Sequence, residues 1–322
     1  MKKSLVLLAG SILFVMGCNK SVSNEEGLPE QDVVATERHC AADEVLKEQI
    51  KADPSLRQRM DAIEEFTQRV AANPEQFRLV NGIIEIPVVF NVLYRTAAQN
   101  VSLTQLQSQI DVLNEDFAAT NADYNLTSTY NSVKAGNIGV RFVLDQVKRR
   151  STTKTSWSTN DAMKKSAQGI APTSPTTKLN IWVCNMGGGI LGYAQFPGGS
   201  SATDGVVLDD NATGRTGTAA APFNKGRTAT HEVGHWMNLR HIWGDATCGN
   251  DQVGDTPTHN TANYGCPAAG HLSTCSGTPV EMTMNYMDYT DDACMYMFSL
   301  GQKSRMLAVF ATGGPRNSFA QP

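Results

Sequence analysis

The sequence has no excess of positive charge. Its 27 lysines and arginines stand against 31 aspartates and glutamates, a net charge of −4. Proteins that grip a nucleic-acid backbone need a basic field, so no nucleic-acid partner is expected. After residue 18 no stretch approaches the ~18 consecutive apolar residues of a spanning helix, so nothing beyond the N-terminus is expected to cross a membrane. There is no internal repeat. Histidine is scarce, with six in 322 residues.

Three of those six histidines fall in "HEVGHWMNLRH", residues 231–241. On a helix, His231 and His235 stand at i and i+4 and project from one face. Two neutral imidazoles at that separation can hold one zinc ion, with Glu232 facing the same space as a candidate general base. His241 follows six residues after His235. A straight helix would carry it away, so the chain must turn between them. The spacing is that of the extended zinc pattern H-E-x-x-H-x-x-G-x-x-H, with Asn238 at the usual glycine. Glycine is usual because the turn needs positive φ, and asparagine is the best non-glycine resident of that region.

The N-terminus reads as a targeting segment. "MKKSLVLLAGSILFVMGC" has two lysines and then an apolar stretch from Leu5 to Met16, as in a secretory signal covering residues 1–17. Its "VMGC" ending resembles the lipobox of bacterial lipoproteins, in which Cys18 would be lipidated. Membrane contact would then run only through that anchor, and residues 18–39 would be a flexible tether. Export implies an oxidising compartment. Of the remaining cysteines, Cys248, Cys266, Cys275 and Cys294 lie in an irregular stretch after the zinc motif, and four cysteines allow three pairings.

Residues 40–72 are expected to be helical, with Asp53-Pro54 as N-cap and first helical position of the second part. "IIEIPVVFNVLY" reads as a strand, with Pro87 pointing to an edge or a bulge. "SLTQLQSQIDVLNEDF" reads as a helix with a Ser102–Gln105 capping box and an apolar stripe of Leu103, Leu106, Ile110, Leu113 and Phe117. "VRFVLDQV", "KLNIWVCN" and "DGVVLDD" read as strands, the second burying Cys184 as a small thiol. The zinc helix would begin near Thr228. The glycines of "GGGILGYAQFPGG" would let another backbone approach, as at a sheet edge that takes an extended peptide near Leu191, Gly192 and Tyr193.

Together "HEVGHWMNLRH", "LGYAQFPGG", "VGDTP" and "MNYMDYTDDACM" resemble the pappalysin family of metzincin metallopeptidases, over roughly Cys40 to Gln302. The resemblance implies an α+β fold: a twisted mixed sheet and two main helices above, an irregular disulfide-stapled half below, and a short helical pro-segment in front. By residue, it implies His231, His235 and His241 as zinc ligands, Glu232 as general base, Met287 as the Met-turn methionine, and Tyr289 as oxyanion stabiliser. It implies disulfides Cys248–Cys275 and Cys266–Cys294, and structural calcium at Asp251, Asp255 and Thr256, whose hard oxygens suit that ion. Some relatives cut before arginine with an acidic residue after the Met-turn. Asp288, Asp291 and Asp292 are candidates, although Ala293 precedes Cys294.

The expected function is a zinc endopeptidase acting on proteins or peptides. Cys40, in "ERHCAADEVL", would be a fourth zinc ligand in a latent form, helped by Arg38 pairing with a carboxylate in the cleft. Residues 40–80 would be the pro-segment and 81–322 the catalytic domain, with activation by a cut near Arg69 or Arg78. The rival is a surface-binding lipoprotein that keeps zinc without catalysis, which Asn238 favours and Glu232 opposes.

Overall fold

Five strands form one sheet in the order β2-β1-β3-β5-β4. They are β1 (Ile84–Tyr94), β2 (Val140–Ser151), β3 (Leu179–Cys184), β4 (Gly192–Ala194) and β5 (Val206–Asp209). The first four in sheet order run parallel and β4 is antiparallel to β5. The structure is a computed structural model describing residues 35–73, 82–126 and 129–320. The expected signal segment, Cys18 and Arg78 lie outside those residues.

A parallel strand covered on both faces has no need of alternation. β3, "LNIWVC", is buried at every position, and Cys184 sits in it as a free buried thiol. Two helices lie against the sheet. Helix α3 (Leu103–Phe117) packs on β2, α5 (Arg227–Trp236) packs on β4 and β5, and the two touch each other. Below α5 the chain from Met237 to Ser299 has no regular helix or named strand. Disulfides Cys248–Cys275 and Cys266–Cys294 tie it across 27 and 28 residues. By loop-closure entropy each is worth roughly 3–4 kcal/mol. Phe117 joins the two halves, with ring centroids 5.1 Å from Phe142 of the sheet and 5.3 Å from Phe298 below.

Several local expectations need correction. Pro87 is not on an edge strand, because β1 lies between β2 and β3. The bulge half of that expectation holds: register against β2 slips between Val88 and Val89, and β3 meets β1 only from Val88 on. Pro87 is therefore outside the β3 ladder, where its missing N–H is tolerated. The α3 capping box is half formed. Ser102 accepts from the Gln105 N–H. The Gln105 side chain instead donates to the buried carbonyls of Asp210 and Thr213. Leu103 is 58% exposed and leaves the stripe, which starts at Leu106.

The N-terminal helical region is two helices, as the Asp53-Pro54 signal implies, and it begins at Ala42 and not at residue 40. The two are α1 (Ala42–Ala52) and α2 (Ser55–Ala72). Asp53 Oδ1 accepts from the Ser55 N–H at 3.1 Å, the expected cap at the break. Cys40 is not helical, and Ala41 is the N-cap of α1. They lie beside β4, with a parallel bridge from Cys40 to Gly192. A short α4 (Ala162–Lys165) stands between β2 and β3, and α6 (Leu300–Ala308) follows the lower half. The sequence reading missed α6, although Ser299 and Gln302 make a complete capping box there.

Candidate active site

Helix α5 presents His231 and His235 one turn apart, and the chain then reverses. Asn238 adopts φ +75°. Its N–H donates to the His235 carbonyl (2.9 Å), and the Leu239 N–H donates to Gly234 (2.9 Å). The turn brings His241 back. His235 Nε2 lies 3.1 Å from both His231 Nε2 and His241 Nε2.

The opposite ring nitrogens fix the tautomers. His231 Nδ1 meets the Tyr286 carbonyl at 2.7 Å, and His235 Nδ1 meets the Leu239 carbonyl at 2.8 Å. Carbonyls only accept, so both Nδ1 atoms carry the proton and both Nε2 atoms present lone pairs. His241 Nδ1 is held by the Asp245 carboxylate. Burial first, then neighbouring imidazoles, push His231 well below the usual histidine range and His235 down to about 3. Two fixed lone pairs and a third ring nitrogen converge in a dry site. That arrangement is unfavourable alone and suits a tetrahedral cation, whose ligand nitrogens lie about 3.3 Å apart at ~2.05 Å bonds.

A fourth donor comes from far away in sequence. The ligand atoms of Cys40, His231, His235 and His241 all lie within 4.8 Å of one another. No other group of three or more His, Cys, Asp or Glu clusters this way among the described residues. The Cys40 thiol donates to Glu232 Oε2 at 3.4 Å. Burial, then the nearby Glu232 charge, raises the Cys40 thiol well above its ordinary range when no cation is present. Burial likewise moves the Glu232 carboxyl up to about 8. Glu232 lies against Gly192 of β4. A β-carbon there would come within 3.1 Å of Glu232 Cγ and 2.7 Å of the Val207 carbonyl, so only glycine fits between base and sheet.

The segment that carries Cys40 fills the cleft. The Leu191 N–H donates to the His39 carbonyl (2.9 Å) and the Ala41 N–H donates to the Gly192 carbonyl (3.0 Å). The edge expected to take an extended peptide is thus taken by residues 39–41. Leu191 and Gly192 supply those two bonds from their backbone. Leu191 and Tyr193 stand on either side of Gly192. Both side chains are buried, and the Tyr193 hydroxyl donates to Asp161 at 2.9 Å. The Tyr289 hydroxyl donates to the Cys40 carbonyl (2.8 Å) and accepts from the Cys40 N–H (3.3 Å).

Arg38 enters a buried recess, where its Nε donates to the Thr290 carbonyl and its Nη1 to Thr228 Oγ1, both at 3.2 Å. Its Nη2 pairs with Asp292 Oδ1 at 2.6 Å, and both side chains are almost fully buried. Asp292 Oδ2 accepts from the Lys225 N–H (2.7 Å) and the Arg227 N–H (3.2 Å), at the start of α5. A helix N-terminus favours this anion and leaves Oδ1 facing the recess. Asp288 does not line it. Its Oδ1 accepts from the N–H groups of Asn263 and Tyr289, both at 2.8 Å. Asp291 is only partly buried.

Met287 sits under α5. A β-carbon at Gly234 would lie 2.5 Å from its sulfur, so the glycine inside "HEVGH" admits this floor. Asp251 and Thr256 are together, with the Thr256 hydroxyl donating to both Asp251 oxygens at 2.9–3.0 Å. Asp255 faces elsewhere. Its carboxylate accepts from Ser299 Oγ (2.6 Å) and the Gly301 N–H (2.8 Å) at the head of α6. Sequence reasoning missed Asp245 and Arg305. Asp245 had a signal, four residues after His241. Arg305 had none.

Comparison with known proteins agrees with this geometry. A family model described as Pregnancy-associated plasma protein-A, Peptidase M43, matches residues 178–311. Extracellular metalloprotease 1 of Coccidioides posadasii is 31% identical over 261 residues, 76% of this chain and 84% of its own. The chain belongs to the pappalysin (M43) family of metallopeptidases. An extracellular metalloprotease of Verticillium alfalfae is 35% identical, over 69% of this chain and 76% of its own. Among solved structures, a Tannerella forsythia promirolysin mutant matches with a TM-score of 0.76 and 41% identity, covering 84% of this chain and 94% of its own. Mature mirolysin with a cleaved peptide matches at 0.71 and 43%, covering 74% and 95%. As a pappalysin the chain is a metallopeptidase with zinc as its metal.

Proposed function

We propose that the chain is an exported endopeptidase made as a latent precursor, with residues 40–80 as pro-segment and 81–322 as catalytic domain. One observation carries this reading. A thiol from a segment N-terminal to the sheet stands among three converging imidazoles and beside Glu232. A His₃Cys set is closed, whereas three histidines alone leave a position open. The coverage of the solved relatives supports the boundary: the promirolysin match takes in a tenth more of this chain than the mature one.

His231, His235 and His241 would hold zinc, with Cys40 as the fourth ligand in the latent form. Zinc there supplies Lewis acidity, polarising a peptide carbonyl and making a water acidic near neutral pH. Glu232 takes the proton of the attacking water and delivers it to the leaving amine. Once Cys40 leaves, the Tyr289 hydroxyl is free to donate to the developing oxyanion. An extended substrate pairs with the backbone of Leu191–Tyr193 in place of residues 39–41. Casein hydrolysis by the trimmed protein, abolished by a zinc chelator and restored by zinc, tests the function. Hydrolysis indifferent to chelation would end it.

The Arg38–Asp292 pair supports cleavage before arginine, since a guanidinium already fits the recess beside the metal site. Asp292→Asn should cut the preference for arginine over an aliphatic residue at that position by about 10–100-fold, the worth of a desolvated charge pair. Cleavage-site mapping with a peptide library checks this. An unchanged profile would remove Asp292 from specificity.

Export follows the names of the curated relatives, which are extracellular metalloproteases. Cys18 would carry a lipid, and Cys18→Ser should move the precursor from the detergent phase to the aqueous phase on partitioning. If both forms partition alike, there is no anchor. Of the two activation cuts, one near Arg69 is disfavoured because Arg69 lies in the last turn of α2. That leaves the region of Arg78. Calcium is supported at Asp251 and Thr256, where burial raises the Asp251 carboxyl to about 6 and a cation would relieve it. Calcium-selective chelation should then lower the melting temperature, and an unchanged melt would count against the ion.

A further inference from the structure

Asn238 departs from the usual glycine, and its side chain touches the N-terminal segment. Its amide donates to Thr67 Oγ1 of α2 at 3.4 Å. Its backbone carbonyl accepts from Arg305 Nε of α6 at 2.6 Å. The remaining nitrogens of Arg305 clasp the Glu64 carboxylate of α2, at 2.8 and 2.5 Å. The pair is shielded, with side-chain exposures of 4% and 20%. Around it, α2 buries Leu56 and Val70, and Val70 and Phe66 pack with Ala308 and Ala311. Ile63 covers Gly198, where a β-carbon would come within 3.0 Å of it. Arg59 Nε donates to the Gly198 carbonyl at 2.8 Å.

We infer that the Asn238 turn, Arg305 and the Gly198 loop form a docking surface for α2 as a separate helix, which keeps the pro-segment on the enzyme after the chain is cut between α2 and β1. The inference rests on the reading of residues 40–80 as pro-segment. A cut there removes one covalent link and no contact of the cleft or of α2. What remains is a complex of the helix-in-groove kind, with apolar anchors around a bidentate arginine–carboxylate pair. The residues at the cleft form a short extended piece, and α2 supplies a second hold far along the chain from Cys40. A single cut therefore does not activate. Latency ends when the freed segment dissociates or is cut again.

The test places a unique protease recognition sequence between Asn73 and Gly82 of the full-length chain. After cutting, activity on a peptide substrate and co-elution of the segment are followed in time. The cut wild type is expected to stay assembled and latent, and to gain activity slowly on dilution. Glu64→Ala and Thr67→Val change no residue of the trimmed enzyme, so its activity is the built-in control. Glu64→Ala should release the segment about tenfold faster, the typical loss for a shielded charged hydrogen bond. Glu64→Gln keeps the shape and serves if the alanine variant folds poorly. Full activity immediately on cutting the wild type, or release at the wild-type rate in the variants, would overturn the inference. An active uncut chain would instead overturn the pro-segment reading.

Discussion

Glu232→Ala should leave zinc content unchanged and lower peptide hydrolysis by about 10²–10⁴-fold, the usual worth of a positioned general base. The geometry separates the two properties. The three histidines come together through Nε2 atoms whose orientation is fixed from behind by Tyr286, Leu239 and Asp245. None of those supports involves Glu232, so truncating it leaves the cation site intact. The carboxylate itself is pinned between Gly192 and the place where Cys40 sits, where a peptide on the β4 edge would bring its scissile bond. The measurement needs protein trimmed by an added protease, because an inactive variant cannot process itself. Metal analysis and turnover are then taken on the same sample. Equal zinc with undiminished turnover would remove Glu232 from the mechanism.

Much of the site was legible because it is local. The i, i+4 pair, the glutamate between them and the third histidine are set by one helix and one turn, and Asn238 reads as positive φ from its side chain alone. The strands were legible from β-branched runs such as "LNIWVC". What escaped depends on partners distant in sequence. Gln105 has the residue type of a capping box, but buried carbonyls at Asp210 and Thr213 compete for it and win. Asp255 has the residue type of a calcium ligand, and its contacts to Ser299 and Gly301 at the head of α6 could not be read from that type. Arg305 is one arginine among many until the fold sets it between Glu64 and Asn238. Pro87 reads as an edge signal because sequence shows the missing N–H without showing where the neighbouring ladder begins.

Cys40→Ala in the full-length protein should give peptidase activity before any cut, at least about tenfold above uncut wild type. The expectation follows from what the substitution removes and what it leaves. It removes the one donor that closes the histidine set, so a position opens for water. It also removes the hydrogen bond to Glu232, which frees the base. It leaves the Arg38–Asp292 pair, the two backbone bonds to Leu191 and Gly192, and the Tyr289 bond to the residue-40 carbonyl. The edge strand and the arginine recess therefore remain partly covered, and activity should stay below that of the trimmed enzyme. Adding Arg38→Ala should close much of that gap, since it vacates the recess without touching the metal site. Rates on a short peptide, with mass spectrometry to exclude trimming during the assay, separate these forms. An uncut wild type as active as the trimmed enzyme would show that the thiol does not hold the site shut. If Cys40→Ala stays silent until it is cut, latency resides in the covered cleft and not in the ligand.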